Sequence, residues 1–391
     1  MAAKRKLCLL DPGLSSLTGH HAMIYTQLAV LEEHLYLYTH QAFNDPQHRV
    51  ERTLPFFESD FYGMLASPIS AESRQKTNQR LHFLAWEYKK SIEHAHSTAS
   101  DNQPIQFILH SLAIMHLHAV WLALEALDTD LLAKSRFRLG VIYPWNDVEG
   151  VLHDHAFHAL GEMTQVEIFA AEAELLESVK SCLPRAQIHP CCVLPEQAFQ
   201  QCEQSKSTTR KNQVVCYLGD AKQEKGFLEL ADNMEKLAKG DSEIEWVAQF
   251  TITGHSQALI EQKEKLNNLS NRYSNVTICE RWLADNELLR LIGESQGLVL
   301  NYRVPEYAYK NSGFIWLASW CETPVWLNKD TWLEREAERL GLAYAYVPNL
   351  LSSKVVLANI GKFRENEPRE INSREYKANL FRPFKEWILA E

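Results

Sequence analysis

Lys310-Asn311-Ser312-Gly313 sets an ammonium, an amide, a hydroxyl and a glycine side by side. Together they suit a phosphate: positive charge, polar side chains and close backbone approach. An apolar run, Phe314 to Cys321, follows and reads as a helix, whose first N–H groups attract an anion. A second group is Asp220 to Gly226, where Lys222 and Lys225 could both point at a diphosphate through charge-assisted bonds. Gly13 to His21 forms a third. There Gly19 lets the backbone approach a ligand, and His20 and His21 stand at a helix start. It has no GxGxxG pattern, so a dinucleotide site is poorly supported. The pairs His153-Asp154-His155 and His116-Leu117-His118 offer two imidazoles without a third partner, a weak metal signal.

Each of the three loops follows a strand and precedes a helix. Gln296 to Leu327 shows the pattern best. Gly297 to Leu300 reads as a buried strand, Asn301 to Asn311 as a polar, aromatic loop, Ser312 to Cys321 as a helix and Thr323 to Leu327 as a strand. Such a βαβ unit lays its strands parallel and puts the loop at the carboxyl end, where open α/β sheets bind ligands. The first half repeats the theme. Strands are expected at Lys6–Asp11, Leu35–Tyr38, Pro104–Leu109, Phe137–Tyr143 and Val166–Phe169. Helices are expected at Ala22–Glu33, Glu72–His96, Ile114–Leu127, Gly150–Leu160 and Ala171–Lys180, and His40 to Pro68 reads as irregular. Trp145-Asn146-Asp147 reads as a loop, either a turn or part of an acceptor face. Glu196 to Asn212 is polar and reads as a linker. The second half starts again with a strand at Val214–Leu218 and a helix at Phe227–Leu237. The expectation is two Rossmann-like, doubly wound α/β domains, 1–205 and 206–370, with a ligand cleft between them. A terminal helix within 371–391 packs back on the body.

The 391 residues suffice for two such domains, and 46% hydrophobic with 23% charged residues is a folded composition. A net charge of −10 argues against a general nucleic-acid binder. None of the eight cysteines has zinc or thioredoxin spacing, so reduced, cytoplasmic thiols are expected. Phe107 to Leu127 is the most apolar long run, but it carries three histidines and reads as a buried strand and helix rather than a membrane span. A few basic and aromatic residues of the first domain could meet a membrane surface.

Taken together, the three loops resemble those of the GT-B glycosyltransferases, in particular the large retaining group. LTGHH matches the glycine-bearing loop near the donor phosphates. CYLGDAKQEKGFLEL matches the strand and Lys-Gly pair that open the second domain, with Asp220 where the family has Arg. CETPVW matches the late Gly-Thr-Pro-Val strand, with Glu322 for Gly. Tyr309 and Leu317 fall where the family has two glutamates, and YRVPEYAYKNSG looks like the branch with Ser-Gly facing the diphosphate. The resemblance implies hexosyl transfer from a nucleotide-sugar donor, with retention and no bound metal or other cofactor. It implies donor contacts from Gly19, His20, Lys222, Arg303, Tyr309, Lys310, Asn311, Ser312 and Gly313. Lys225 would stabilise the leaving group, Glu306 would meet the sugar, and a first-domain histidine would lie near it: His110, His116, His118, His153, His155 or His158, with His155 placed in the catalytic set. The acceptor could be a saccharide, a lipid-linked saccharide, a protein or a small molecule. The departures at Asp220, Tyr309 and Leu317 keep open a catalytically silent binding protein, and the architecture is shared with nucleotide-sugar epimerases.

Overall fold

The computed structural model describes residues 5–17, 19–31, 35–47, 50, 52–59, 61, 71–100, 103–142, 150–171, 173–180, 183–188, 196–205, 210–240, 243–252, 256–347, 353–365, 375–377 and 379–380. The chain forms two compact units, 1–195 with 380–391, and 196–379.

Unit 1 begins with β1 (Lys6–Asp11), α1 (Gly19–Leu31), β2 (Leu35–His40), β3 (Thr53–Phe57) and α2 (Ala71–Ser97). It continues with β4 (Ile105–Leu112), α3 (Ile114–Glu125), α4 (Thr129–Ala133), β5 (Ser135–Val141), α5 (Gly150–Glu162), β6 (Val166–Ala170), α6 (Ala173–Val179) and β7 (Gln187–Ile188). The seven strands pair in the order β3-β2-β1-β4-β5-β6-β7, all parallel. β1 and β4 are buried at every position, as strands covered on both faces must be. Phe107 and Phe137 stack across β4 and β5 at 5.1 Å between ring centroids, with Leu10, Leu84, Tyr88 and Leu117 in the same core. Burying each such side chain contributes roughly 1.5–3 kcal/mol.

Unit 2 opens with α7 (Glu196–Ser205), β8 (Gln213–Tyr217), α8 (Leu230–Ala238), β9 (Glu245–Phe250), α9 (Gln257–Arg272), β10 (Val276–Glu280) and α10 (Asp285–Glu294). It closes with β11 (Gly297–Leu300), α11 (Val304–Tyr307), α12 (Gly313–Trp320), β12 (Val325–Leu327), α13 (Trp332–Arg339), β13 (Tyr344–Tyr346) and α14 (Ser353–Glu365). Its six parallel strands run β10-β9-β8-β11-β12-β13. Trp246, Trp326, Phe227 and Phe250 are fully buried there. In both sheets the strand order reverses once, between β1 and β4 in unit 1 and between β8 and β11 in unit 2. Those two points are where doubly wound sheets take ligands.

Several expectations change. The irregular stretch 40–68 contains β3, an edge strand. Pro55 within it has no N–H for a ladder, and edge strands are where sheets tolerate proline. The expected linker at 196–212 holds a ten-residue helix, α7. Phe199 is buried against Trp320 at 4.0 Å, and Cys202 is buried, so two apolar anchors suffice to dock a polar helix. Of the expected terminal helix only Glu375 to Lys377 and Asn379 are described as helical, and Leu380 after them is buried; the rest lies outside the described residues, as does the Trp145-Asn146-Asp147 loop. Among the described residues no helix is long and apolar enough to cross a membrane.

Candidate functional site

In unit 2 the loops after β8 and β11 meet at the switch point. The first is tied down by its backbone. Gly219 N–H donates to Gln249 Oε1 (3.0 Å), and Gln249 Nε2 donates to the Arg281 carbonyl (2.6 Å), so one buried amide joins the turns after β8 and β10. Tyr217 OH donates to the Asp220 carbonyl (2.6 Å) and accepts from Lys222 N–H (3.1 Å). A single 3₁₀ turn, Gln223–Lys225, ends at Gly226 with φ +76°. A Cβ on Gly226 would lie 2.5 Å from the Asn301 carbonyl oxygen, so the glycine lets the two loops touch. The second loop is held by Asn328, whose Nδ2 donates to Asn301 Oδ1 (3.0 Å) and to the Tyr302 carbonyl (2.7 Å).

Lys225 is delivered to the centre of this arrangement. Its Nζ lies 5.8 Å from the centroids of both the Tyr302 and Phe314 rings. Ser312 Oγ donates to Tyr302 OH at 3.5 Å, so Lys225 and Ser312 converge on the same tyrosine. Burial lowers the Lys225 pKa, against the opposing pull of Asp220 and Glu224. Among the described residues no carboxylate comes within ion-pair distance of it. Lys310 is also lowered by burial, then by Lys222 and Lys225, while its Nζ sits 3.7 Å from Glu224 Oε1. Three ammonium groups thus feel one another at the carboxyl ends of β8 and β11, a field that favours an anion. α12 starts beside them: Ser312 is its N-cap but makes no side-chain cap bond, because its hydroxyl turns to Tyr302.

The other expected residues are placed less centrally. Lys222 Nζ is 3.9 Å from Asp220 Oδ2, and Asp220 also accepts from Thr251 Oγ1 at 3.0 Å. Arg303, expected among the donor contacts, is paired with Glu229. Glu306 and Tyr309 are exposed on and just after α11, Asn311 is half-buried, and Gly313 begins α12. The sequence gives no sign of Gln249 or Asn328 as loop anchors; each is a polar residue at or just past a strand's end.

Unit 1 answers with a different cluster. Asp11, the last residue of β1, meets His21 Nδ1 at 2.7 Å through Oδ1 and His110 Nε2 at 2.9 Å through Oδ2. Gly13 N–H donates to Asp11 Oδ1 at 3.0 Å. A Cβ on Gly13 would stand 2.2 Å from the His21 ring, so only glycine lets that imidazole reach the carboxylate. His110 lies where β4 shifts register, between Leu109 and Leu112, beside Ser111 at φ +60°. Ser111 Oγ is 2.7 Å from His110 Nδ1. Burial would raise the Asp11 pKa, but the two imidazoles overcome it and hold the carboxyl well below the usual range. Burial lowers His110 against the pull of Asp11. Burial also lowers His116 to about 3; its Nε2 donates to the Phe61 carbonyl (3.1 Å) and its Nδ1 accepts from Ala113 N–H (3.2 Å).

Asp11, His21 and His110 are all buried and could offer ligand atoms to a metal, all within 4.8 Å of one another. The 2.7 and 2.9 Å contacts are those of N–H···O bonds, and ligation would have to displace both protons. Gly19 opens α1 with φ +82°, and the half-buried His20 ring lies 4.2 Å from that of His21. His155 is exposed on α5, edge-on to Trp121 at 5.8 Å, and is not part of the Asp11 cluster. The His118 ring lies 5.5 Å from the same tryptophan, and the His153 side chain lies outside the described residues.

No model of a known protein family matches the sequence, and neither does any curated protein. Solved structures do match. A UDP-forming α,α-trehalose-phosphate synthase from Burkholderia vietnamiensis superposes with a TM-score of 0.65 at 10% identity, over 98% of this chain and 95% of that one. The Burkholderia xenovorans enzyme in complex with glucose-6-phosphate gives 0.64 at 9% identity, over 97% and 98%. Anabaena HepE in complex with UDP gives 0.60 at 12% identity, over 97% and 95%. The chain therefore has the GT-B fold, two Rossmann-like units in series.

Proposed function

We propose that the protein is a glycosyltransferase that moves a sugar, of the hexosyl class, from a nucleoside-diphosphate sugar to an acceptor. The single observation that carries this reading is the convergence of Lys225 and Ser312 on Tyr302 at the switch point of unit 2, with no carboxylate within ion-pair distance of Lys225 among the described residues. A half-buried ammonium without an ion-pair partner among the described residues is poorly compensated, and an anion that arrives from solution removes that cost. The donor's diphosphate fits that role. When the bond between the anomeric carbon and the diphosphate oxygen breaks, its electron pair stays on oxygen. Lys225, Lys310, Ser312 and the first N–H groups of α12 then meet the new charge with donors already in place. An acceptor hydroxyl oxygen forms the new bond and gives up its proton to solvent or to the departing phosphate.

All three of these similar structures carry UDP or form it, and one holds glucose-6-phosphate, which supports a uridine donor and a sugar-phosphate acceptor as first probes. Retention of configuration and independence from a metal are proposed on the resemblance of the loops. An acceptor role for unit 1, and donor contacts from Gly19 and His20, are proposed on the same resemblance.

A second reading is a silent nucleotide-binding protein. It is favoured by Asp220, which occupies the arginine place and is satisfied by Thr251 and Lys222. The test is to incubate the protein with UDP-, GDP- and ADP-sugars, with and without glucose-6-phosphate, and to measure released nucleoside diphosphate. Acceptor-dependent release of UDP is the expected result. Binding without release would establish the silent protein, and isomerised sugar without acceptor would establish an epimerase.

A further inference from the structure

We propose that Glu336 and Tyr376 are positioning residues for the anion site of unit 2: the C-terminal turn 375–377, acting through Glu336, sets the rotation and axial position of α12. Glu336 stands on α13 and is 1% exposed. Its carboxylate is a junction of three elements. Trp316 of α12 donates from Nε1 to Oε1 at 2.7 Å. Tyr376 of the C-terminal turn directs its OH at Oε1 (3.0 Å) and Oε2 (2.9 Å). Arg339 of α13 itself donates from Nη1 to Oε2 at 3.4 Å. A second tie joins the same turn to the far end of α12. There Lys377 Nζ donates to the Ser319 carbonyl at 3.4 Å and lies 5.3 Å from the Trp320 ring centroid. The C-terminal turn thus grips α12 at two points.

A buried carboxylate is a poor source of stability. Burial raises the Glu336 pKa, and the contacts from Trp316, Tyr376 and Arg339 oppose that. What such a group supplies is register, because it accepts hydrogen bonds only from donors at the right distance and angle. α12 needs that. Ile315, Trp316, Leu317 and Ala318 are buried, but apolar burial is non-directional and holds a short helix down without fixing its rotation. The start of α12 is not fixed by a cap of its own either, since the Ser312 hydroxyl turns to Tyr302. Yet that start is where Ser312, Gly313 and the first free N–H groups would have to meet an anion within about 3 Å. Lys377 adds to the hold, because an ammonium at the last turn of a helix faces the negative end of its dipole. The role deepens the diphosphate reading and rests on it.

The experiment combines hydrogen exchange with calorimetric titration of UDP, on the full chain as wild type, Tyr376→Phe, Glu336→Leu and the double variant. Tyr376→Phe keeps the ring and removes only the O–H that reaches Glu336. It should leave the melting temperature near that of wild type. It should also speed exchange at the 313–320 amides and weaken UDP binding, each about fivefold, the fold-change of one net hydrogen bond. The turn, Glu336 and α12 are linked in series. Once Glu336→Leu has cut the junction, adding Tyr376→Phe should therefore change UDP affinity by less than about twofold, whereas independent bonds would multiply their losses. Unaltered exchange at 313–320 in Tyr376→Phe, or faster exchange with unaltered UDP affinity, would overturn the proposal. So would multiplied losses in the double variant, or a lower melting temperature of Tyr376→Phe with faster exchange throughout unit 2, because the junction would then be structural. Wild-type protein that binds no UDP is a separate failure, that of the diphosphate reading. It would remove the site that the turn is held to position, and the proposal with it.

Discussion

Unit 1 and unit 2 present the same topological feature, a parallel sheet whose strand order reverses once, and fill it with opposite chemistry. At the end of β1 the anion is built in. Asp11 is fully buried, two imidazoles and one backbone N–H satisfy it, and nothing about it asks for a ligand. At the end of β8 the cation is left over, since Lys225 is desolvated and the nearest acids serve Lys222 and Lys310. The lesson is that topology supplies a place, whereas side-chain satisfaction separates a structural cluster from a binding site. The two should respond in opposite ways to deletion.

Removing the satisfied charge should be the most damaging change. Asp11→Ala strands two buried imidazoles, and breaking a buried charged pair of this kind costs about 3–5 kcal/mol. Hydrogen exchange at the β1 and β4 amides during denaturant unfolding would show unit 1 weakened while unit 2 keeps its protection. An Asp11→Ala protein as stable as wild type would erase the contrast.

Removing the unsatisfied charge should cost binding and not folding. Lys225→Met should raise the melting temperature or leave it unchanged, because it removes a half-buried ammonium that has no ion-pair partner among the described residues. It should weaken nucleoside-diphosphate binding by about 2–3 kcal/mol, the range of a hydrogen bond to a charged group. Thermal shift with and without UDP reads both. A large drop in melting temperature would mean that Lys225 is structural.

Acid should separate the units next. His116 has a folded pKa of about 3. Its unfolded value is about 6.5, so the unfolded chain holds more protons between those limits and stability falls as pH falls. From pH 7 to pH 5 the loss is about 2 kcal/mol, and His110, also lowered, adds with the same sign. The slope of unit 1 stability against pH should be shallower in His116→Gln. Asp11 acts only in stronger acid: its depressed pKa adds stability above the ordinary carboxylate range that is lost as pH drops below it.

The smallest effect sharpens unit 2. Gly226→Ala places a side chain at φ +76°, worth about 1–2 kcal/mol of strain, and presses on Asn301. Because Gly226 joins the two loops, stability and nucleotide affinity should fall together, unlike in Lys225→Met. Calorimetry and melting curves on the two variants check this.

The convergence of Lys225 and Ser312 was legible in the sequence, because both follow apolar strands and strand ends in a doubly wound sheet come together. The same logic marked Gly19 and His20. Asp11 with His110 was not legible: they are 99 positions apart, and no spacing rule links a carboxylate at one strand end to an imidazole in another. β3 was hidden by Pro55, which reads as a strand breaker away from an edge. α7 was hidden by its polar composition, since two buried side chains dock it and hydrophobic periodicity over ten residues barely registers that. Arg303 looked like a spare cation because a sequence does not show that Glu229 lies beside it.

The central claim is that the leftover ammonium of unit 2 is a diphosphate site. Isothermal titration calorimetry with UDP on wild-type and Lys225→Met protein tests it most directly. The account predicts saturable binding to the wild type, weakened about a hundredfold in the variant. Wild-type protein that takes up no UDP, or a variant that binds as tightly as wild type, would contradict it.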